Sequence, residues 1–455
     1  MLRNVVFMGV PSMIGFATTT VCALVEVYYL GLLGSSAVAG MTLLGAFAGV
    51  LSTSNSIVGA GSVAIISRRY GEKDYGGTEN AIKQTLILKF AVAVVSGCIG
   101  LLLLSTILNW MNAKPEVARL GFEYGVWFFI MLPFNFCSWS MFTAFRGIGD
   151  ARRAMSLMLL TTGLNIAIAP ILIFGGAPIS IRIGGLNLLS KGAIIGFGLG
   201  ISGAAIAKGL SLLICCIVGL MMLHSYKTHI GFRITRGWKP DLEVMKKIMK
   251  IGTPPGLEGI AKSMANFATT YFIALYGTAV VAAYGIASQI LGFTIVAAVG
   301  MQLGSAAIVG HCLGAGRGKM AAETVRLATT VVVIICAILG ILAFIFAPQI
   351  ISVFTEESDV AAEAITVIRI MVFGYLLFAF RLVLASAFNG SGNTIPPTVI
   401  SLSAEGTRIA LIAVLIYAFQ MNQIAVWWAF VIASSLDATM LWVWYKKAKW
   451  IERCI

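Results

Sequence analysis

Charge is what this sequence has least of. Of its 455 residues only 11% are Asp, Glu, Lys or Arg, while 59% are hydrophobic. A soluble domain carries about twice that share of charge and cannot hide so much apolar surface, so the bilayer must be the solvent for most of the chain. Acidic residues are scarcer still, 18 against 32 basic ones, giving a formal net charge of +14. That excess does not point to nucleic acid, because the basic residues sit in short loops between apolar runs, where they orient a membrane protein. Histidine is nearly absent: His224, His229 and His311 fall in cytoplasmic segments, and none is placed for catalysis. The eight cysteines (Cys22, Cys98, Cys137, Cys215, Cys216, Cys312, Cys336 and Cys454) lie mostly inside apolar runs and lack metal-ligand spacing, so they read as packing residues. Neither a metal, nor any other cofactor, nor an enzymatic activity is expected. No secretory signal with a small-residue cleavage pattern appears, and the first apolar run is long enough to span.

What is present is a repetition. Gly9, Pro11, Tyr28, Gly34, Gly49, Gly61, Ser62, Gly71, Gly147 and Gly149 return 243 positions later as Gly252, Pro254, Tyr271, Gly277, Gly292, Gly304, Ser305, Gly314, Gly390 and Gly392. No gap is needed between them. A duplicated hydrophobic chain with parallel halves reads as a transporter with its site between the halves.

A spanning helix needs about 20 mostly apolar residues. Twelve runs qualify, near 5–31, 36–67, 81–109, 118–145, 154–175, 193–223, 248–276, 279–311, 323–347, 361–388, 395–419 and 423–445. With the N-terminus in the cytoplasm, the cytoplasmic loops carry Arg68, Arg69, Lys73, Arg146, Arg152, Arg153, Arg317, Lys319, Lys446, Lys447 and Lys449. The opposite loops carry only Lys114, Arg119, Arg182 and Lys191, and one is acidic (Glu356, Glu357, Asp359). A miscounted span would scramble that alternation. The only long polar stretch, residues 224–247, falls at the midpoint and links an N-lobe (1–223) to a C-lobe (248–455). The expected fold is therefore an all-α integral membrane protein with twelve transmembrane helices in two parallel six-helix repeats. It would sit as a monomer in the cytoplasmic (inner) membrane, with both termini cytoplasmic. Residues 176–192 have no counterpart of that length in the second half and are expected to form an interfacial hairpin, or a lid.

Several short runs resemble a known family. YYLGLLGSSAVAG (28–40), AFRGIGDARRAM (144–155) with its echo AFNGSGNTIPP (387–397), GTPPGLEG (252–259), NIAIAPILIFG (165–175) and GISGAAIAKGLS (200–211) are similar to the multidrug and toxic compound extrusion (MATE) family, within the multidrug/oligosaccharidyl-lipid/polysaccharide flippase superfamily. The resemblance covers nearly the whole chain. It implies two six-helix lobes forming a V, a central cavity, and export driven by inward Na⁺ or H⁺.

Ionisable residues at the bilayer centre cost about 2.5–3.5 kcal/mol each on insertion scales, so each needs a reason. The first-lobe candidates are Glu26 and Lys208; the second-lobe candidates are Glu258, Lys262, Arg381, Glu405 and Arg408. The resemblance implies a first-lobe cation site built from an acid on helix 1, an Asn and an Asp on helix 5, and a Thr on helix 6. Glu26 and Asn165 match the first two, but Ala169 stands at the Asp position and Lys208 at the Thr position. An ammonium beside Glu26 would occupy the electrostatic place of the ion. Lys208 is therefore expected to pair with Glu26, which favours H⁺ over family-type Na⁺ coupling in this lobe. Lys262 shares a helix face with Glu258 and occupies the place of another branch's coupling acid. Glu405 and Arg408 share a face of helix 11, and Arg381 lies near enough to the cytoplasmic end to snorkel. Four cations against three acids leave an anionic or zwitterionic substrate open.

The expected function is that of a secondary active transporter exporting small organic molecules by alternating access. The alternative is a flippase or exporter for an anionic or lipid-linked substrate. Gly198-x-Gly200-x-x-Gly203 matches a dinucleotide fingerprint but follows no strand and enters a membrane helix, so it is set aside. Gly45-x-x-x-Gly49 and Gly300-x-x-x-Gly304 read as close helix packing, and Trp427, Trp428, Trp442 and Trp444 as an interfacial belt.

Overall fold

The computed structural model of the chain describes residues 2–110, 114–175, 181–183, 186–189, 196–224, 230–233, 237–352, 354–355, 357–447 and 450–451. The first half contains α1 (Leu2–Leu33), α2 (Ser35–Gly71), α3 (Tyr75–Trp110), α4 (Pro115–Ile130), α5 (Leu132–Gly147), α6 (Ala151–Ile173) and α7 (Gly200–His224). The second contains α8 (Leu242–Ala274), α9 (Thr278–Gly314), α10 (Gly318–Ile345), α11 (Ala347–Ile351), α12 (Ser358–Leu384), α13 (Ser386–Ser391), α14 (Ile395–Tyr417) and α15 (Ile424–Lys446).

These fifteen helices make twelve membrane passes. α4 and α5 are one span, bent by 52°. Pro133 in the first turn of α5 contributes no N–H to the ladder, and the helix breaks there. α11 extends α10, and α13 continues α12 after Ala385. Among the described residues ten helices are long and apolar enough to cross a membrane, and the bent pair makes eleven. α8 is the twelfth: it has 33 residues, but Pro254, Pro255, Glu258 and Lys262 lower its hydropathy. Large apolar side chains such as Leu102 (78% exposed) and Ile345 (58%) face outward, where lipid rather than water solvates them.

One boundary differs from the sequence reading. The sixth helix begins at Gly200 rather than near 193, because Gly198 and Gly200 take left-handed φ values of 64° and 56°. Within the expected interfacial hairpin, β1 (Ile181–Ile183) and β2 (Leu186–Leu189) pair antiparallel, with Arg182 opposite Asn187.

The two halves meet along a pseudo-symmetric seam. α1 packs on α6 in its own half and on α9 across the seam; α8 packs on α14 in its own half and on α2 across it. The repeat relates these two contacts. A Cβ on Gly61 would strike the backbone of Ile248, and one on Gly304 the carbonyl of Met8. Gly71 and Gly314 abut the backbones of His311 and Arg68. All of these lie toward the end that holds the N-terminus and the linker. At the other end Gly45, Gly49, Gly285 and Gly292 meet nothing within 4 Å. The halves are pressed together at one end and apart at the other. That corrects the close-packing reading of Gly45 and Gly49, whereas Gly300 does abut Met13.

The described part of the linker is tied to the first half. Asn80 donates to Asp241 (2.9 Å), Gln84 donates to the Lys239 carbonyl (2.8 Å), and the Arg233 amide donates to Glu79 (2.7 Å). The Lys83 ammonium lies 5.3 Å from the Phe232 ring centroid and 5.9 Å from that of Trp238. α8 accordingly starts six residues before the apolar run, with Asp241 as its N-cap accepting from the Val244 amide at 3.2 Å. The Val244 amide, and then the Asn80 side chain, hold the Asp241 carboxyl below the usual carboxylate range. Its folded value lies below its unfolded one, so its contribution is complete above the unfolded value and is lost as pH falls through the folded value. Asp241→Ala is expected to speed amide hydrogen exchange across residues 242–246 at neutral pH, whereas the parent reaches that rate only on acidification. Unchanged exchange would remove the cap from the account.

Candidate functional site

Along α1, the seam contacts involve Met8, Gly9 and Met13, and the polar cluster follows from Thr19 to Glu26. Along α8, the seam contacts run to Gly259, where a Cβ would meet the Thr53 side chain of α2 at 3.8 Å, and the cavity residues begin at Lys262. Both polar sites therefore lie beyond the seam, on the side where the halves stand apart.

In the first half, Glu26 is 5% exposed and both its oxygens are engaged. Lys208 Nζ on α7 lies 2.8 Å from Oε2, well inside ion-pair range, and the Tyr124 hydroxyl on α4 donates to Oε1 at 2.7 Å. Asn165 on α6 is buried and joins indirectly: its Oδ1 accepts from the Cys22 thiol, one helical turn before Glu26, at 3.4 Å. Glu26, Lys208 and Asn165 line one cavity of about 110 Å³, with Asn135, Thr161 and Thr162. Ala169 is buried and offers no ligand. A Na⁺ ion needs several hard oxygens, and here the strongest is already held by an ammonium and a phenol.

In the second half, Arg381 is the hub. Its Nη1 lies 2.8 Å from Glu258 Oε1, its Nε lies 3.1 Å from Asp437 Oδ1, and its Nη2 donates to the Pro397 carbonyl at 3.0 Å. It is 1% exposed. The expectation that Arg381 snorkels is therefore corrected: three acceptors on α8, α14 and α15 hold it inside. Lys262 Nζ meets Glu258 at 2.7 Å and lies 4.9 Å from the Phe378 ring centroid. Arg408 Nη2 meets Glu405 at 3.0 Å and donates to Asn266 Oδ1 at 3.0 Å. Lys262, Glu405, Arg408 and Asp437 line a cavity of about 460 Å³, together with Tyr284, Tyr375, Phe378 and Phe430. That volume holds a drug-sized molecule, and the lining offers aromatic faces with a few polar anchors.

Sequence reasoning missed Asp437. It sits in the middle of a predicted span, so the search for ionisable residues that found the others applies to it equally. With it the acids at these two sites (Glu26, Glu258, Glu405, Asp437) equal in number the cations they face there (Lys208, Lys262, Arg381, Arg408). Tyr124 carried no signal, since a lone tyrosine in an apolar run is unremarkable. Lys89 was also passed over, and Arg146, expected in a cytoplasmic loop, lies inside α5; they are 1% and 2% exposed, with no carboxylate partner among the described residues. Arg146 instead covers the Phe16 ring at 5.5 Å. Trp427 is not part of an interfacial belt. It is fully buried, stacks on Tyr284 (5.5 Å, 12°) and donates to Glu363 at 3.3 Å.

The family profile MatE matches residues 11–171 and again 254–414, two stretches separated by the same offset as the glycine repeat. A Bacillus subtilis protein described as "Probable multidrug resistance protein YoeA" is 27% identical over 405 residues, 88% of this chain and 84% of its own length. The Staphylococcus aureus "Multidrug export protein MepA" is 22% identical over 433 residues, covering 94% of this chain and 90% of its own. Among solved structures, a MATE in complex with MaD3S superposes with a TM-score of 0.88 at 22% identity, over 100% of this chain and 97% of that one. A MOP superfamily transporter from Pyrococcus furiosus gives the same values. At that identity the likeness shows the fold: twelve helices in two repeats.

Proposed function

This chain belongs to the MatE family of transporters, and we propose that it exports small organic molecules across the cell membrane, as a monomer with both termini in the cytoplasm. The observation that carries this reading is the one-sided seam. The halves are locked at the linker end, and both polar sites lie beyond the lock, as expected of one state of a rocking transporter. The substrate class is taken from the drug-export names of the relatives. The 460 Å³ cavity supports it, with its aromatic faces and its Lys262, Glu405, Arg408 and Asp437 anchors. Every cation at that cavity has a carboxylate partner, which favours neutral or zwitterionic substrates over the rival, a flippase for a lipid-linked anion.

Coupling is by protons through Glu26. With the Lys208 ammonium 2.8 Å from its carboxylate, Glu26 already has a cation beside it, and a Na⁺ ion there would meet like charge. A proton on the carboxylate would neutralise it and release the Lys208 ammonium toward the cavity, so the protonated and ionised states differ in how that wall is held. A coupling ion must bind the two conformations differently, and rupture of a part-buried ion pair supplies such a difference. The test is substrate flux in proteoliposomes under imposed pH or Na⁺ gradients. The parent is expected to respond to the pH gradient, and Glu26→Gln to lose that response by at least tenfold. A strict Na⁺ requirement, or a Glu26→Gln variant as active as the parent, would overturn it.

A further inference from the structure

We infer that the mouth of the seam at the linker end is a binding site for a phosphate-bearing anion that braces the two halves together. A second cavity of about 470 Å³ lies there, remote from both polar sites. One wall comes from the first half, with Tyr70, Lys73 and Tyr75; the other comes from the second half, with His311 and Arg317. The floor includes the apolar side chains of Met8 and Ile308.

The charges around this mouth do not cancel. Glu72 is held by Arg68 at 3.3 Å, Asp74 accepts the Gly77 amide at 2.8 Å, and Asp150 caps α6 and meets Arg153 at 3.2 Å. Each acid is thus engaged locally. Lys73 and Arg317 have no carboxylate partner among the described residues. Both side chains are exposed, and the backbones that carry them are held. Lys73 takes a left-handed φ of 64° and its amide donates to the Tyr70 carbonyl at 3.1 Å. The Arg317 amide donates to the Cys312 carbonyl at 2.7 Å, and Arg317 is the N-cap of α10. Free first-turn amides at that helix start favour an anion, as do phenol hydroxyls. The cavity has more room than a bare phosphate fills, and its floor is apolar. A phospholipid headgroup with its glycerol would therefore fit better than the inorganic ion, and basic pockets between membrane helices on the cytoplasmic side take such headgroups.

The site spans the moving parts. His311 on α9 shares a 2.6 Å hydrogen bond with the Gly147 carbonyl of the first half, and its ring lies 5.2 Å from Tyr70. Parting the halves here would carry Lys73 away from Arg317. A ligand that touches both binds the closed mouth more tightly and shifts the population toward it. This inference is independent of the exported substrate and of the coupling ion.

The test uses the full chain with every cysteine but Cys312 replaced, in nanodiscs of phosphatidylcholine alone, of phosphatidylcholine with phosphatidylglycerol, or of phosphatidylcholine with inorganic phosphate in the buffer. Cys312 lines this cavity and is 9% exposed, so its maleimide labelling rate reports opening and occupancy. Phosphatidylglycerol is expected to slow labelling at least threefold. Lys73→Gln with Arg317→Gln should abolish the slowing and the retention of phosphatidylglycerol in native mass spectra. Protection by inorganic phosphate alone would support the chemistry and assign its source to solution. No protection by either, or protection that persists in the double variant, overturns the site. So does equal loss in Lys319→Gln, an exposed cation outside the cavity, since the effect would then be general surface charge.

Discussion

Gly252→Val is expected to abolish transport and leave the protein open at the linker end. A Cβ at Gly252 would run into the carbonyl of Ile57 on α2, which is backbone and cannot step aside. Overpacking a close helix contact costs about 1–3 kcal/mol, and the whole of it falls on the state in which α2 and α8 touch. Two conformations of a transporter differ by only a few kcal/mol, and each 1.4 kcal/mol is tenfold in population. The closed mouth should therefore become the minor state, with Cys312 labelling faster by roughly ten- to a hundredfold. Two comparisons isolate the cause. At the repeat partner Gly9 the nearest atoms to an added Cβ belong to the flexible thioether of Met301, so Gly9→Ala should cost little. Gly49→Ala, with nothing within 4 Å, should leave labelling unchanged. Parental transport by Gly252→Val would mean that the close contact of α2 with α8 is not needed in the transport cycle.

Removal of Arg381 should produce the largest loss of stability. Its guanidinium serves Glu258, Asp437 and the Pro397 carbonyl from three different nitrogens while almost fully buried. Arg381→Gln strands the Asp437 carboxylate and leaves Glu258 with Lys262 alone. Breaking a buried pair by removing one partner costs about 3–5 kcal/mol, mostly from the stranded charge. Arg381→Lys should not restore it, because a single ammonium cannot present that planar fork. The triple variant Arg381→Gln, Glu258→Gln, Asp437→Asn should recover most of the loss, since no buried charge is then orphaned except Lys262, which can turn to the cavity. Unfolding of each variant in detergent measures this. A loss below about 1 kcal/mol in Arg381→Gln would place the network nearer to a solvated surface pair.

The helices were legible in the sequence because hydropathy is a local property. A run of apolar residues needs no partner to declare itself, and the charged loops between runs fix the alternation. α8 shows the limit of that signal: Glu258 and Lys262 make it the least apolar pass, and only its place in the repeat marks it as a span. The break at Met131 was harder to see, although Pro133 stood in plain view. A proline in a membrane helix bends it, kinks it or does nothing, and the neighbours decide which.

The sequence by itself determined the frame: twelve passes, parallel halves, and a glycine repeat that implies close approach somewhere. Only the tertiary structure decided where. Gly61 and Gly304 lie in the closed seam while Gly49 and Gly292, equally repeated, face open space. It also decided which charges meet. The contact between Glu26 and Lys208 joins helices 182 residues apart in sequence, and Arg381 reaches Asp437 across 56 residues. Such pairs depend on the rotation of each helix about its own axis and on which face turns inward. Packing sets both, and no local pattern of residues records them.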